Sequence, residues 1–252
     1  MLELSSWQLA DLQGRNLLKP KVAVITPIMP DHQNWYGSME AYVADKKLIY
    51  ASQDKSCYTI CNADDSWGKI FASETKGNVL FYSTKPQNVK TQNTNQENAI
   101  YKGGFIDADG CGYLTWEKDD QSLTNTEHQE VSLHKVLPSK VLVPGSHQKE
   151  NLLNAAQVLS LFDVSDTEIM RVLQNFPGIP HRLEFFYNYN GIKFYNDSAA
   201  TIPEAAAAAI TSFENPPILL TGGTDKVLDF KPLAKEVIAA AAASGIVAAE
   251  SL

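Results

Sequence analysis

Three short apolar runs constrain the fold of this chain most strongly. They are Val22-Ala23-Val24-Ile25-Thr26, Tyr58-Thr59-Ile60-Cys61 and Val79-Leu80-Phe81-Tyr82. Each is too short for a helix, rich in β-branched or aromatic residues, and free of polar alternation, as expected of strands buried on both faces. Between the first two, Met39, Tyr42, Val43, Lys46 and Tyr50 recur at helical spacing. Strand, helix, strand at this rhythm predicts βαβ units and an α/β fold with a mostly parallel sheet. Pro27 and Pro30 end the first run and open a loop. Residues 85–98, rich in Asn, Gln, Thr and Lys, read as a solvated loop. Residues 99–143 read as a small antiparallel part turning at Asp109-Gly110.

Further along, two helices are predicted. One spans about 148–161, and one starts at Ser165-Asp166-Thr167-Glu168, a capping box, with Ile169, Val172, Leu173 and Phe176 on its apolar face. Phe176-Pro177-Gly178-Ile179-Pro180 then breaks the periodicity, which predicts domains over 1–177 and 178–252. In the second, Asn190-Gly191 predicts a hairpin, and Thr201 with Glu204 a capping box around Pro203. Ile218-Leu219-Leu220-Thr221 reads as a buried strand ending at Gly222-Gly223, and Asp229 as the cap of a last helix. Leu2 to Leu9 reads like a strand running into a helix with nothing before it to pair with. That predicts further chain upstream, and the short second domain predicts more downstream.

The formal charge of −8 argues against a broad nucleic-acid footprint. No apolar run reaches membrane-spanning length, and the first twenty residues lack the basic and apolar regions of a signal peptide. Three cysteines without a C-x-x-C pair fit a reducing cytoplasm better than a disulfide framework.

Several loops carry groups capable of chemistry. Asp31-His32 follows the first strand, at the sheet edge where α/β proteins bind ligands. Glu3 and Lys46 are candidates to converge there. A carbamylated Lys46, formed by adding CO2 to the neutral amine, would present oxygens to a hard cation. The same residues also read as a capping aspartate with an exposed histidine and lysine. Gly145-Ser146-His147-Gln148 opens a helix bearing Asn151, and reads either as an anion-favouring site or as an ordinary helix entrance. Arg182 follows the Pro-rich linker, placed to meet phosphates or simply to be solvated. Asn196-Asp197-Ser198-Ala199-Ala200-Thr201 and Gly222-Gly223-Thr224-Asp225-Lys226 offer hydroxyls, amides and an ammonium for a small anionic substrate. No G-x-x-x-x-G-K-[ST] loop occurs, so nucleotide hydrolysis is not readable from these residues by themselves.

As an ordered set these motifs resemble the Mur ligases. The segments are Glu-Leu-Ser-Ser-Trp-Gln-Leu at 3–9, Pro-Asp-His at 30–32, Lys-x-x-Ile-Tyr at 46–50 and Asn-Ala-Asp-Asp at 62–65. They continue with Gly-x-His-x-x-x-Asn at 145–151, Gly-Ile-Pro-His-Arg-Leu-Glu at 178–184, Asn-Asp-Ser-x-Ala-Thr at 196–201 and Gly-Gly-x-Asp-Lys at 222–226. The first and seventh point to the branch that adds D-glutamate to UDP-N-acetylmuramoyl-L-alanine. The resemblance implies the latter part of a central ATPase domain followed by the first part of a Rossmann-like C-terminal domain. A UDP-binding domain and the phosphate loop would then lie upstream, leaving these residues inactive alone.

It also implies ATP and Mg2+ as cofactors, an acyl-phosphate mechanism, a cytoplasmic location and a monomeric complete enzyme. By the same resemblance Glu3, His32 and a carbamylated Lys46 would bind metal, and Asn151 and Arg182 the nucleotide. Asp197 would face the nucleotide as a catalytic group beside His32 and Lys46. Thr201 and Lys226 would bind D-glutamate, and His32 would also meet substrate. Two positions depart from the family pattern: Gln148 stands where Asn is usual, and Ala199 where a Lys is common. A non-catalytic binding module, half of a split ligase, and a Mur-type ligase with another acceptor remain alternatives.

Overall fold

The structure is a computed structural model that describes residues 1–15, 17–31, 33–85, 102–116, 132–223 and 228–244. The chain divides into two compact units, Met1–Lys140 with Glu150–Leu173, and Val141–Lys149 with Gln174–Leu252.

The first unit is built on a six-stranded sheet whose order follows the chain. Strands β1 (Val22–Val24), β2 (Tyr58–Asn62), β3 (Asn78–Ser83) and β4 (Gly103–Ile106) run parallel. Strands β5 (Gly112–Leu114) and β6 (His134–Leu137) complete it antiparallel. The fold is therefore α/β with a small antiparallel part, and all three apolar runs are strands. Asp107 makes the β4–β5 turn, its carboxylate accepting from the amides of Asp109 (3.0 Å) and Cys111 (2.8 Å). The solvated-loop reading lies, from residue 86 onward, outside the described residues.

Helices α1 (Ser6–Leu12), α2 (Gln33–Tyr36), α3 (Met39–Lys47) and α4 (Ser66–Glu74) belong to this unit. Helix α1 begins with a reciprocal cap: the Gln8 amide donates to Ser5 Oγ (3.3 Å), and the Ser5 amide donates to Gln8 Oε1 (2.8 Å). The side chains of Ala23, Ile25, Tyr42, Val43, Tyr50, Cys61 and Phe71 form one core cluster joining β1 and β2 to α3 and α4. Gly68 lets α4 close onto the end of β2, because a Cβ there would lie 1.8 Å from the carbonyl oxygen of Asn62. The Asp65 carboxylate caps that turn, accepting from the Gly68 amide at 2.5 Å.

Helix α5 (Ser146–Leu161) lies against the antiparallel end of the sheet. A Cβ at Gly104 would sit 3.0 Å from Leu153 and 3.2 Å from Gln157, so the missing side chain sets how closely the helix approaches. Helix α6 (Asp166–Gln174) buries Ile169 and Leu173. Val172, expected on the same face, is 43% exposed. It sits three residues after Ile169 but on the rim of the apolar stripe, where α6 faces solvent.

The second unit contains the expected hairpin, β7 (Glu184–Tyr189) with β8 (Ile192–Asn196). Asn190 and Gly191 take φ of 48° and 86°, the left-handed geometry of a tight two-residue turn. Helices α7 (Pro203–Ile210) and α8 (Lys231–Ser244) pack against each other. Two expectations are corrected here. Helix α7 starts one residue later than the proposed Thr201 cap, with Ile202 at the cap position and no side-chain cap bond. Pro203 fixes that start, since it suits the first helical position and needs no amide partner. Ile218–Thr221 is not a strand, and Ile218 and Leu220 are 84% and 91% exposed. A buried parallel strand needs paired neighbours, and these residues have no strand partner among the described residues.

Candidate functional site

In the first unit, Lys46 sits near the C-terminus of α3, half-buried, with its Nζ 5.4 Å from the centre of the Tyr42 ring. Burial pushes its pKa below the ordinary lysine value, and the carboxylates of Asp31 and Glu3 partly oppose that fall. Both carboxylates are therefore close enough for their charge to act on the Lys46 amine. Asp31 also helps raise the Tyr42 hydroxyl, which burial raises first. His32 lies outside the described residues. The fold thus brings Glu3 and Lys46 of the expected metal cluster near each other, and adds Asp31 beside them. Their oxygens suit a hard cation. Among the described residues, no three His, Cys, Asp or Glu side chains form a group able to hold a metal. The two carboxylates alone do not make up such a group, and a carbamate on Lys46 would add further oxygens beside them.

A second acidic group forms where β2 ends. Asp64 accepts from Ser83 Oγ (2.8 Å) and from the Thr84 amide (2.9 Å), which ties the ends of β2 and β3 together. Glu150, in the first turns of α5, faces this pair. Burial lifts its pKa to about 7, and the charges of Asp64 and Asp65 add to the rise. Asn151 follows it in sequence and is exposed on α5.

In the second unit, Asp197 follows the last residue of β8 and accepts from the Leu183 amide at 3.0 Å. Burial raises its carboxyl, while that hydrogen bond and the charges of His147 and Arg182 pull it down. His147 is itself lowered by burial, against the pull of Asp197. The His181 carbonyl accepts from the Ala199 amide (3.0 Å), and the Asn196 amide group lies 2.8 Å from His181 Nδ1. These bonds pin the linker turn to the loop after β8. Gly145 keeps that corner tight: its φ is 95°, and a Cβ would fall 2.3 Å from Ser212 Oγ and 2.8 Å from His147. Asp197, Arg182 and His147 are thus brought together. Thr201 is exposed ahead of α7, and Lys226 lies outside the described residues.

Sequence reasoning did not assign roles to Asp31, His147 or Glu150. For Glu150 a signal existed, since Leu153 and Asn154, three and four positions on, are both buried and share its helical face. His147 is two residues beyond a glycine that opens a helix, and only folding reveals its partner Asp197.

Residues 1–159 match the family model described as the Mur ligase middle domain. The chain belongs to the Mur ligase family. It is 35% identical to the UDP-N-acetylmuramoylalanine--D-glutamate ligase of Treponema pallidum (strain Nichols), covering 93% of this chain and 52% of that protein. It is also 35% identical to the ligase of the same name from Caldicellulosiruptor bescii, over 94% of this chain and 46% of that one. This Mur ligase chain therefore spans about half the length of the curated relatives it matches. Among solved structures it shares its fold with MurF from Acinetobacter baumannii, with a TM-score of 0.57, 16% identity, and coverage of 92% of this chain and 44% of that one. MurF ligase from Thermotoga maritima in complex with ADP gives a TM-score of 0.53 at 15% identity, covering 95% of this chain and 49% of that one. No helix among the described residues is long and apolar enough to cross a membrane.

Proposed function

We propose that this chain forms part of a cytoplasmic, ATP-dependent ligase that joins D-glutamate to UDP-N-acetylmuramoyl-L-alanine. The observation that carries the reading is the 35% identity, across 93% of the chain, to a relative named for that ligation. In the proposed reaction a carboxylate oxygen of the L-alanyl end attacks the γ-phosphorus of ATP, giving an acyl phosphate and ADP. The D-glutamate nitrogen then adds to the acyl carbon, inorganic phosphate leaves with the C–O bond, and the nitrogen loses a proton.

The chain's own groups fit parts of this sequence. A lysine held below its ordinary pKa keeps more neutral amine, the form that adds CO2 to give a carbamate and a proton. Mg2+ bound by Glu3, His32 and that carbamate would offset the charge of the transferring phosphoryl group. Arg182 is assigned to the nucleotide phosphates, and Asp197 to orienting groups on the nucleotide side. Asn151 is assigned to the adenine edge, and Thr201 and Lys226 to the carboxylates of D-glutamate. Residues 1–177 and 178–252 would be the ATPase-type and ligand-binding domains.

The test is phosphate release from ATP by the native gene product that carries these residues. UDP-N-acetylmuramoyl-L-alanine is supplied with D-glutamate or with other amino acids in turn. Release that requires D-glutamate supports the reading. Release with a different acceptor alone refutes it.

A further inference from the structure

Three polar side chains of the first unit stand apart from every group assigned so far. Ser132 Oγ lies 3.3 Å from His134 Nε2, and His134 Nδ1 lies 2.9 Å from Asp166 Oδ2, so the three form one continuous row of contacts. His134 opens β6, the strand at the opposite end of the sheet from β1, and Ser132 precedes it by two residues. Asp166 is the first residue of α6. The Ser165 hydroxyl caps that helix, accepting from the Glu168 amide at 3.3 Å, which leaves the Asp166 carboxylate to face the histidine.

We propose that Ser132, His134 and Asp166 form an acyl-transfer centre that cleaves small uncharged esters through an acyl-serine, independently of the ligation proposed above. The order of the contacts carries the proposal. An ionised carboxylate only accepts, so the Nδ1 that faces Asp166 carries the ring proton. Nε2 of the neutral ring then keeps its lone pair, into which the Ser132 hydroxyl donates. A hydroxyl on one ring nitrogen and an orienting carboxylate on the other is the arrangement that activates a serine, and it is recognised by geometry and not by place in the chain. A tie between β6 and α6 would need only the histidine and the aspartate. At 3.3 Å the serine contact is of the looser kind that tightens once substrate is bound. In the reaction Ser132 Oγ bonds to the ester carbonyl carbon while its proton passes to His134 Nε2. The bond from that carbon to the alcohol oxygen then breaks, and the departing alcohol takes the proton. Water, deprotonated by the same nitrogen, adds to the acyl carbon, and the acid leaves as the serine recovers its proton. Asp166 is a positioning residue that holds the ring and offsets the charge of the imidazolium. The histidine and aspartate side chains are 25% and 31% exposed, open enough for a small ester, and the carboxylate disfavours an anionic acyl group.

The test is labelling of the 252-residue chain with an alkyl fluorophosphonate, in which the serine oxygen bonds to phosphorus and fluoride leaves, followed by peptide mass mapping. Wild type is expected to carry the label on Ser132, and Ser132→Ala to lose it. His134→Gln, which keeps a polar side chain but no base, is expected to label about a hundredfold more slowly or worse. Asp166→Asn should label at least about tenfold more slowly, and Asp166→Glu, which keeps a carboxylate, should recover part of that loss. Release of p-nitrophenolate from p-nitrophenyl acetate should fall in the same order. Wild type with no label on Ser132 overturns the proposal before any variant is made. A rate that His134→Gln leaves unchanged overturns it as well. Equal rates in Asp166→Asn and Asp166→Glu would reduce the aspartate to a structural tie and overturn the three-residue centre.

Discussion

Replacing Glu150 with glutamine should stabilise the first unit, and only at neutral to alkaline pH. In the folded chain Glu150 holds its proton to about pH 7, against an ordinary value of 4.5, because it is buried beside Asp64 and Asp65. A carboxyl whose folded pKa lies above its unfolded one is favoured in the native state only while protonated. Native stability is therefore untouched below pH 4.5, falls as pH rises through the interval, and has lost its full share above pH 7. Each pKa unit corresponds to about 1.4 kcal/mol, so the full penalty is about 3 kcal/mol. Glutamine keeps the shape and cannot ionise. The variant should gain about 3 kcal/mol at pH 8.5 and less than about 1 kcal/mol at pH 5.

Urea unfolding followed by tryptophan emission measures this directly. All four tryptophans (Trp7, Trp35, Trp67 and Trp116) belong to the first unit, so the signal reports the unit that contains Glu150. An equal gain at both pH values would mean that packing rather than charge governs the site. A loss at pH 8.5 would mean that the carboxylate has a partner that stabilises it, and the reasoning would be refuted.

Other expectations follow from the same packing. Gly68→Ala forces a Cβ into the Asn62 backbone at 1.8 Å and should cost more than about 3 kcal/mol or prevent folding, read by the same urea titration. Tyr82→Phe removes a buried 2.9 Å bond to the Ile25 carbonyl and should cost about 1–3 kcal/mol, with a matching fall in the unfolding midpoint. Asn154 and Gln157 are buried with Nδ2 of the first and Oε1 of the second unpaired. The double change Asn154→Ala, Gln157→Leu should therefore be neutral or stabilising by about 1 kcal/mol, while either single change is worse than the pair in a double-mutant cycle. Carbon-13 NMR with labelled CO2 at pH 8.5 should show a carbamate signal in wild type that vanishes in Lys46→Arg, and a wild type without the signal removes the carbamate from the site.

The strands were legible because the sequence writes buried parallel strands as unbroken apolar runs, and Tyr58–Cys61 and Val79–Tyr82 carry nothing that competes. Hairpins were legible for a similar local reason: Asn190, Gly191 and Gly110 take left-handed backbone that few other residues supply. Ile218–Thr221 has the same composition as a buried strand yet lies exposed, because pairing is a property of neighbours and not of the segment. Thr201 missed the cap of α7 by one residue, since Pro203 fixes where that helix can begin. At the site, Lys46 was singled out from spacing alone, and the fold added Asp31 beside it. His147 and Asp197 are fifty residues apart in sequence, and nothing local announces their electrostatic coupling.

The strand order β1-β2-β3-β4-β5-β6 also bears on how the polypeptide acquires its shape during synthesis. Among the described residues, each strand of this sheet docks beside the one translated just before it, so none of them is wedged between two already joined. Each newcomer can therefore zip onto the free edge of its predecessor in the order in which the ribosome delivers it. Helix α5, made after β6, reaches back across that surface, and the bare backbone at Gly104 and Gly112 is the seat kept ready for its arrival.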